Sequence, residues 1–271
     1  KESIPHLGRL FQAEPEVVVC DLHPGYLSTQ YALSGEESEK LQAQHHWAHI
    51  TSVMAENEIV EPVIGIECDG TGYGTDEAVW GCEFMVAGLD DFERIGHLDY
   101  YTIGGGDKAS KEAIRPVIGL LRHSFGREFA LSDFGWLLDS IEPDRAKQRV
   151  IVEQLDKQIN TVNTSSMGRV FDAVAALAGI GSYNQFEAQL PMALEAGTDS
   201  GIADTYGYEI EKNPDLRFII HYMQPHTPYL SLGPPATKKK REPESRDSAA
   251  RKLRNWMVTK ARTLIGDKTA V

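Results

Sequence analysis

The stretch IGIECDGTGYGTDEAVWGCEF, residues 64–84, decides the fold that we predict for this chain. Its beginning belongs to Pro62–Cys68, a short apolar run that favours a buried β-strand. The run leads into Asp69-Gly70-Thr71-Gly72, where glycines allow a turn whose backbone can approach a phosphate closely. Strands are predicted to follow at 78–87 and 92–101, which gives a β-meander. A glycine-rich hairpin without any ligand explains the same residues equally well.

Outside this stretch, the sequence predicts one earlier strand and a mainly helical second half. The strand is Glu16–Leu22, an apolar β-branched run. The predicted helices cover residues 26–33, 41–59, 110–123, 130–138, 145–159, 168–179 and 185–196. Strands with glycine-rich turns and many helices indicate an α/β protein. We predict one domain over residues 1–213 and then a proline-rich basic tail, 214–271, with one candidate helix at 249–264.

The charge of the chain is unevenly distributed. The net charge is −13, although residues 238–268 hold 11 of the 27 basic residues and only 4 of the 40 acidic ones. The remaining acidic body is expected to repel phosphates, so we expect no nucleic-acid partner. No apolar run approaches the roughly 20 residues that cross a membrane. Three scattered cysteines do not make a disulfide framework, and a cytoplasmic location is therefore expected.

A pair of histidines is the first candidate site. His45 and His49 lie one helical turn apart, so both imidazoles can reach one metal ion. Imidazole suits zinc or iron, and a third ligand has to come from elsewhere. His46 points away by roughly 100° on the same helix. Two histidines at this spacing are also common as ordinary surface or core residues, and that interpretation stays open.

Three further segments could contact a nucleotide, and each has an ordinary structural explanation. Gly104–Lys108 combines glycines with a carboxylate and an ammonium group that suit an anion; a solvated charged face is the alternative. Ser166 can cap a helix whose amino terminus faces a phosphate, or simply a core helix. Glu187 can contact a sugar, or it can serve as a favourable charge in a first helical turn.

Taken together and in this order, these segments resemble one family, the HypF hydrogenase maturation factors. The resemblance runs from about His6 to Ala196. The ordered series is more specific than kinship with the broader family that includes the transferase TsaD. The segments that carry it are CDLHPGYLSTQYA (20–32), QAQHHWAHITSVMAE (42–56), the stretch at 64–84, GGGDKASKEAIR (104–115), SSMGRVFDAVAALAGI (165–180) and NQFEAQLPMALEA (184–196).

The resemblance implies a fold and an activity. The fold would be an incomplete actin/Hsp70-like (ASKHA) nucleotide-binding fold with a mixed sheet and flanking helices. HypF-like proteins use ATP and carbamoyl phosphate to make a carbamoyl-adenylate. They pass the carbamoyl group to the carboxyl-terminal cysteine of the partner HypE during [NiFe]-hydrogenase maturation. The resemblance therefore implies a carbamoyltransferase that uses ATP with Mg and has HypE as its partner.

The resemblance also implies site residues, although it identifies no catalytic residue. His45 and His49 would bind one divalent metal, Fe or Zn. The nucleotide would be bound by a larger set of residues: Asp69, Gly70, Thr71, Gly72, Gly105, Gly106, Asp107, Lys108, Gly168, Asp172 and Glu187.

The sequence departs from the family pattern at several positions. Glu77 and Cys82 stand where glycine is usual, and Trp47 stands where a third histidine is frequent. The family's preceding domains, and a late Asp-Gly-Gly turn whose aspartate completes the metal site, are not found. We therefore expect a chain truncated at both ends, with the tail 214–271 not part of the family fold. The alternatives are an inactive nucleotide- and metal-binding remnant, or an O-carbamoyltransferase that acts on a small molecule.

Overall fold

The structure is a computed structural model that describes residues 3–12, 16–35, 39–126, 129–199, 207–212 and 218–223. The strands are β1 (Val17–Asp21), β2 (Glu39–Ala43), β3 (Val63–Tyr73), β4 (Val79–Ala87), β5 (Phe92–His97), β6 (Tyr101–Gly104), β7 (Thr161–Thr164), β8 (Gly207–Lys212) and β9 (Phe218–Met223). The helices are α1 (Ser3–Phe11), α2 (Leu27–Ser34), α3 (His45–Glu56), α4 (Lys108–Lys111), α5 (Ile114–Phe125), α6 (Gly135–Ile141), α7 (Arg145–Lys157), α8 (Met167–Leu177) and α9 (Gln189–Ala196), with a 3-10 helix at Leu131–Phe134. Within these ranges, no helix is long and apolar enough to cross a membrane.

The strands form a mixed sheet and two small pairs. The main sheet has the order β3-β4-β7-β6, and β5 also pairs with β4. Strand β4 runs parallel to β7, whereas the other pairs of this sheet are antiparallel. Strands β1 and β2 form a parallel pair, and β8 and β9 form an antiparallel hairpin. The predicted α/β class, mixed sheet and β-meander are confirmed.

The glycine-rich segment differs from its prediction. Strand β3 continues through Asp69–Gly72 to Tyr73, with a bulge between Cys68 and Gly72, so the predicted turn at this position is wrong. Pairing with β4 satisfies the backbone on both sides of the bulge, and the chain reverses only at Gly74–Glu77. The strand is also not buried on both faces, because Ile64 is 72% exposed. Helix α3 covers only the opposite face, where Gly65 lies against Ile50.

The long helix predicted at residues 41–59 begins later than expected. Leu41–Ala43 belongs to β2, which pairs with β1 at a distance in the sequence that no local pattern reveals. The side chain of Gln44 then caps α3 by accepting a hydrogen bond of 2.8 Å from the Trp47 amide. This cap supplies a partner for an amide that has none inside the helix, and it defines the helix start at His45.

The ends of several other strands and helices could be located only from the tertiary structure. The strand predicted at 92–101 is two strands, β5 and β6, and the short polar strand β7 was missed together with α1. The helix predicted at 110–123 is divided into α4 and α5, and that at 185–196 begins at Gln189. The domain boundary after residue 213 stays a prediction. The candidate helix at 249–264 lies outside the described residues.

Two hydrophobic clusters hold the layers together. The larger lies around α5 and α8, where Val117, Ile118 and Ala173 are fully buried. The alanines of α8 allow the two helices to approach closely because they carry no side chain beyond Cβ. The second cluster packs α3 onto β4 and includes Met54 and Met85. Burial of apolar surface therefore fixes α3 to the sheet and α8 to the neighbouring helices.

Replacing Glu77 by glycine is expected to stabilise the protein by about 0.5–1 kcal/mol. Glu77 stands in the β3–β4 turn with a φ of +66°, a conformation that strains an L-residue and suits glycine. Its side chain is exposed, so little packing is lost. The measurement is the free energy of unfolding from urea denaturation. Glu77→Ala is the control: it removes the same side chain but keeps Cβ, and an equal gain in that variant would contradict the backbone explanation.

Candidate metal and nucleotide site

Helix α3 brings the predicted histidine pair together. His45 and His49 are separated by one turn, and their ring centroids are 4.7 Å apart. His49 is 48% exposed, and His45 is partly exposed. Both imidazoles therefore lie side by side at the surface of the molecule, as the spacing predicted.

Each histidine is held by a carboxylate on a neighbouring strand. His45 Nδ1 lies 2.7 Å from Asp21 Oδ2, at the end of β1. His49 Nδ1 lies 3.1 Å from Glu67 Oε1, on β3. A carboxylate that accepts from Nδ1–H leaves Nε2 as the nitrogen that can bind a metal ion. No local sequence pattern pointed to Asp21 or Glu67, although strand alternation places Glu67 on the same face as Asp69.

Asp69 lies between two histidines. Its Oδ2 atom is 3.5 Å from His45 Nε2 and 3.4 Å from His46 Nε2. Asp69 and Asp21 raise the pKa of His45 to about 9, although partial burial opposes the charge. Burial also opposes ionisation of Asp69, but the imidazoles of His45 and His46 beside it hold the pKa of that carboxyl well below its usual range. A metal ion at His45 Nε2 would therefore compete with a proton.

His46 and Gly72 pack against one another beneath the site. His46 is fully buried, and neither of its ring nitrogens makes a hydrogen bond to the described residues. A Cβ atom on Gly72 would lie 2.5 Å from His46 Nε2, so glycine leaves the room for this ring. The observed role of Gly72 is packing, and its predicted contact with a nucleotide stays a prediction. The neighbouring Thr71 is exposed to solvent.

The amino terminus of α8 joins the same site. The Ser166 hydroxyl accepts a hydrogen bond from the Arg169 amide and donates one of 2.6 Å to the Gly70 carbonyl. A Cβ atom on Gly168 would lie 2.9 Å from the Gly70 Cα, so the two glycines allow helix and strand to touch. The predicted cap at Ser166 is confirmed. Amides of a first helical turn lack partners inside the helix and can bind an anion.

The second glycine segment has a conformation that requires glycine. Gly105 and Gly106 have φ angles of +109° and +56°. Gly105 also lies directly against the guanidinium of Arg115, which leaves no space for a side chain. Asp107 and Lys108 follow at the start of α4 with exposed side chains.

Asn184 connects the remaining predicted residues. Its side-chain nitrogen donates a hydrogen bond of 2.8 Å to Asp172 Oδ1 and one of 2.9 Å to the Ser110 carbonyl. Asp172 is buried one turn after Gly168 on α8, and Arg169 NH1 lies 2.9 Å from its other oxygen. Burial raises the pKa of Asp172, which Arg169 and Asn184 oppose. Asn184 begins one of the segments that carry the family resemblance, but the sequence predicted no role for its side chain.

The predicted site residues therefore fall into two groups that meet along α8. His45, His49, Asp69, Gly70 and Gly168 surround the amino terminus of this helix. Asp172 contacts Asn184, which also bonds the Ser110 carbonyl in the helix that begins at Lys108, and Glu187 is exposed three residues further along the chain. Among the residues that the structure describes, no three histidine, cysteine or acidic side chains are arranged to hold a metal ion. Metal and nucleotide binding by these residues stay predictions.

Two family models match the chain. One, described as "HypF Kae1-like domain", matches residues 1–56, and the other, "Carbamoyltransferase, Kae1-like Domain, second subdomain", matches residues 65–266. The fold and the sequence together define a carbamoyltransferase-family protein with a Kae1-like domain.

Relatives and solved structures narrow this class. A carbamoyltransferase HypF from Synechocystis is 37% identical over 223 residues, which cover 76% of this chain and 28% of the relative. A HypF homolog from Cupriavidus necator is 36% identical over 198 residues, 72% of this chain and 49% of the relative. A full-length HypF in a phosphate- and nucleotide-bound form superposes with a TM-score of 0.71 at 43% identity, covering 81% of this chain and 28% of that one. The chain belongs to the HypF carbamoyltransferase family and spans less than half the length of each of these proteins.

Proposed function

We propose that this chain acts as the carbamoyl-transfer domain of a HypF-type enzyme, and that its sheet and helices are part of an actin/Hsp70-like (ASKHA) fold. The donor is a carbamoyl-adenylate made from ATP and carbamoyl phosphate. The acceptor is the carboxyl-terminal cysteine of HypE. Its thiol attacks the carbamoyl carbon and gives up its proton: a C–S bond forms, the C–O bond from the carbamoyl carbon to the phosphate breaks, and AMP leaves. Family membership supports the reaction class.

The observation that carries this proposal is the pair of carboxylate-supported histidines. The contacts Asp21–His45 and Glu67–His49 occupy both Nδ1 atoms and leave Nε2 of each ring for a metal ion, an arrangement typical of histidines that bind a metal ion. Two imidazoles fit zinc or iron. A divalent metal bound there would neutralise phosphate charge and hold phosphate oxygens in position. The carboxylates keep each imidazole in one tautomer and one orientation.

The residues around α8 have separate roles in this proposal. Gly70 and Gly168 keep the strand and the helix close, so that first-turn amides can face a phosphate. Lys108 supplies a positive charge for a phosphate, and Asp69 or Asp107 can hold the Mg ion that accompanies ATP. Asp172 and Glu187 are proposed to contact the sugar. The role of Asp172 depends on Asn184, which fixes the position of its carboxylate.

We also propose a cytoplasmic location and no nucleic-acid partner. The excess of acidic residues, which gives a net charge of −13, supports the absence of a nucleic-acid partner, because the phosphates of a nucleic acid would be repelled. The cysteine content supports the cytoplasmic location, since three scattered thiols suit a reducing compartment.

The test of the metal site is a calorimetric titration of the full chain with zinc, followed by ATP. The double variant His45→Ala/His49→Ala is expected to bind zinc at least about 100-fold more weakly, since even the loss of a supporting carboxylate costs about 10–100-fold. His6→Ala is the control, because His6 is exposed on α1, outside the site, and should leave binding unchanged. Equal zinc affinity of wild type and double variant would remove the histidine pair from the proposal.

Transfer itself needs a separate assay. The chain is incubated with preformed carbamoyl-adenylate, the proposed donor, and with a peptide that ends in the HypE cysteine, and the peptide mass is followed. Carbamoylated peptide would support the proposed reaction. Zinc and ATP binding without carbamoylation would favour the alternative of a binding module without turnover. Carbamoylation of a small-molecule hydroxyl, with the peptide unmodified, would favour the other alternative, an O-carbamoyltransferase.

A further inference from the structure

Two cysteines face each other across strands β3 and β4. Cys68 and Cys82 are register partners in this antiparallel pair. Directly opposed residues have Cα atoms about 4.5–5.5 Å apart and side chains on the same face. A disulfide needs Cα atoms about 4.4–6.8 Å apart. The backbone therefore already has the separation that a disulfide between these two residues requires.

The two thiols differ in their access to solvent. Cys68 is exposed, on the face of β3 that also carries the exposed Ile64 and Ile66. Cys82 is buried, and burial together with the nearby Cys68 raises its pKa to about 12. An oxidant in solution can therefore reach Cys68 first, while Cys82 stays protonated behind it. An accessible thiol with a buried second thiol beside it is the arrangement of an attacking and a resolving cysteine.

We propose that Cys68 and Cys82 form a reversible redox pair that a small disulfide, such as oxidised glutathione, converts into a disulfide within the chain. In the first step the Cys68 thiolate attacks one sulfur of the oxidant and releases one glutathione thiol. In the second step Cys82 loses its proton to solvent and attacks the Cys68 sulfur, which releases the second glutathione thiol. The protein loses two hydrogens, and the oxidant is reduced to two thiols.

The position of this pair couples it to the candidate site. Cys68 directly precedes Asp69. The pair Cys68–Cys82 is the last regular one before the bulge in β3. Gly81 directly precedes Cys82, and its Cα faces the Asp69 carbonyl. A disulfide would fix the spacing of the two strands at this point and would hold the bulge in one arrangement. The proposal is independent of the carbamoyl-transfer function, because it concerns thiols that the reaction does not use.

The test uses the full reduced chain incubated with oxidised glutathione. Free thiols are counted after unfolding in acid, and the peptides are mapped by mass without reduction. We expect the count to fall from three thiols to one, with a peptide that links residues 68 and 82, and full recovery after dithiothreitol. In Cys20→Ser the same linked peptide should form, whereas Cys68→Ser should form none.

Two outcomes of this oxidation experiment would overturn the proposal. One is a stable glutathione adduct on Cys68 while Cys82 stays free, which would mean that the thiols cannot meet. The other is a disulfide that includes Cys20. A second measurement does not depend on oxidation, which can be slow. Phenylarsine oxide bridges two neighbouring thiols, so the reduced chain and the variant Cys20→Ser should both retain this reagent. Cys68→Ser and Cys82→Ala should lose it, and equal retention by all four proteins would also contradict the pairing.

Discussion

Replacing Glu83 by alanine is expected to lower the free energy of unfolding by about 3–5 kcal/mol, the largest single effect that we predict. Glu83 is 0% exposed. Its Oε1 atom accepts hydrogen bonds from the Ser165 hydroxyl and from the Gly81 amide at 3.1 Å. Its Oε2 atom accepts from Arg94 Nε at 2.5 Å. Alanine would remove this acceptor from the Gly81 amide, the Ser165 hydroxyl and Arg94 Nε, although the Arg94 guanidinium would keep its contact with Asp76.

The measurement is urea denaturation, compared with the variant Glu153→Ala. Glu153 is also a glutamate paired with a basic residue, Lys157 at 3.1 Å, but its side chain is 65% exposed. That pair is expected to contribute no more than about 0.5 kcal/mol. If Glu83→Ala fails to fold, Glu83→Gln keeps the size of the side chain and should show a smaller loss in the same direction. Similar losses for Glu83→Ala and Glu153→Ala would contradict the assignment of Glu83 as the buried centre of this network.

Replacing Gly81 by alanine is expected to cost about 3 kcal/mol, at the upper end for overpacking, because the added atom meets backbone on two sides. A Cβ atom there would lie 2.6 Å from the Asp69 carbonyl oxygen and 2.7 Å from the Ser166 Cα. Strand β3 and helix α8 would have to separate from β4. We also expect weaker zinc binding, since Asp69 would move away from His45 together with its strand.

Gly135→Ala is the matched control for this variant. Gly135 has helical φ and ψ angles of −53° and −43°, and nothing lies within 4 Å of an added Cβ. Alanine there is expected to raise the free energy of unfolding by roughly 0.5–1 kcal/mol, because it restricts the unfolded chain. Opposite signs in the two urea titrations are the expected result. If Gly81→Ala failed to lower the free energy of unfolding relative to Gly135→Ala, β3, β4 and α8 would not be closely packed at this point.

The elements predicted correctly are those whose signals lie within a few residues. Helix α7 follows Asp144, whose side chain caps the Ala146 amide, and α8 follows Ser166, which caps Arg169. Strand β1 is an apolar run of β-branched residues that needs no partner to be recognised. Caps, helical spacing and alternation act between near neighbours, so the sequence alone is enough to find them.

The errors concern residues whose structure depends on distant parts of the chain. Residues Asp69–Gly72 favour a turn by themselves, yet they continue as a bulged strand because β4 pairs with Cys68 before them and with Gly72 at their end. Leu41–Ala43 has a helical pattern, yet it is strand because β1 lies beside it. In both cases the hydrogen bonds of strand pairing outweigh a weak local preference.

The candidate site divides in the same way. The sequence by itself determined the residue types that can bind a metal ion and a nucleotide, and the spacing that brings His45 and His49 to one face of a helix. Only the tertiary structure decided that Asp21 and Glu67 support these imidazoles, that Asn184 fixes Asp172, and that Cys68 meets Cys82. The physical reason is that spacing along one helix follows from local geometry, whereas a contact between separate elements exists only after burial of apolar surface has brought them together.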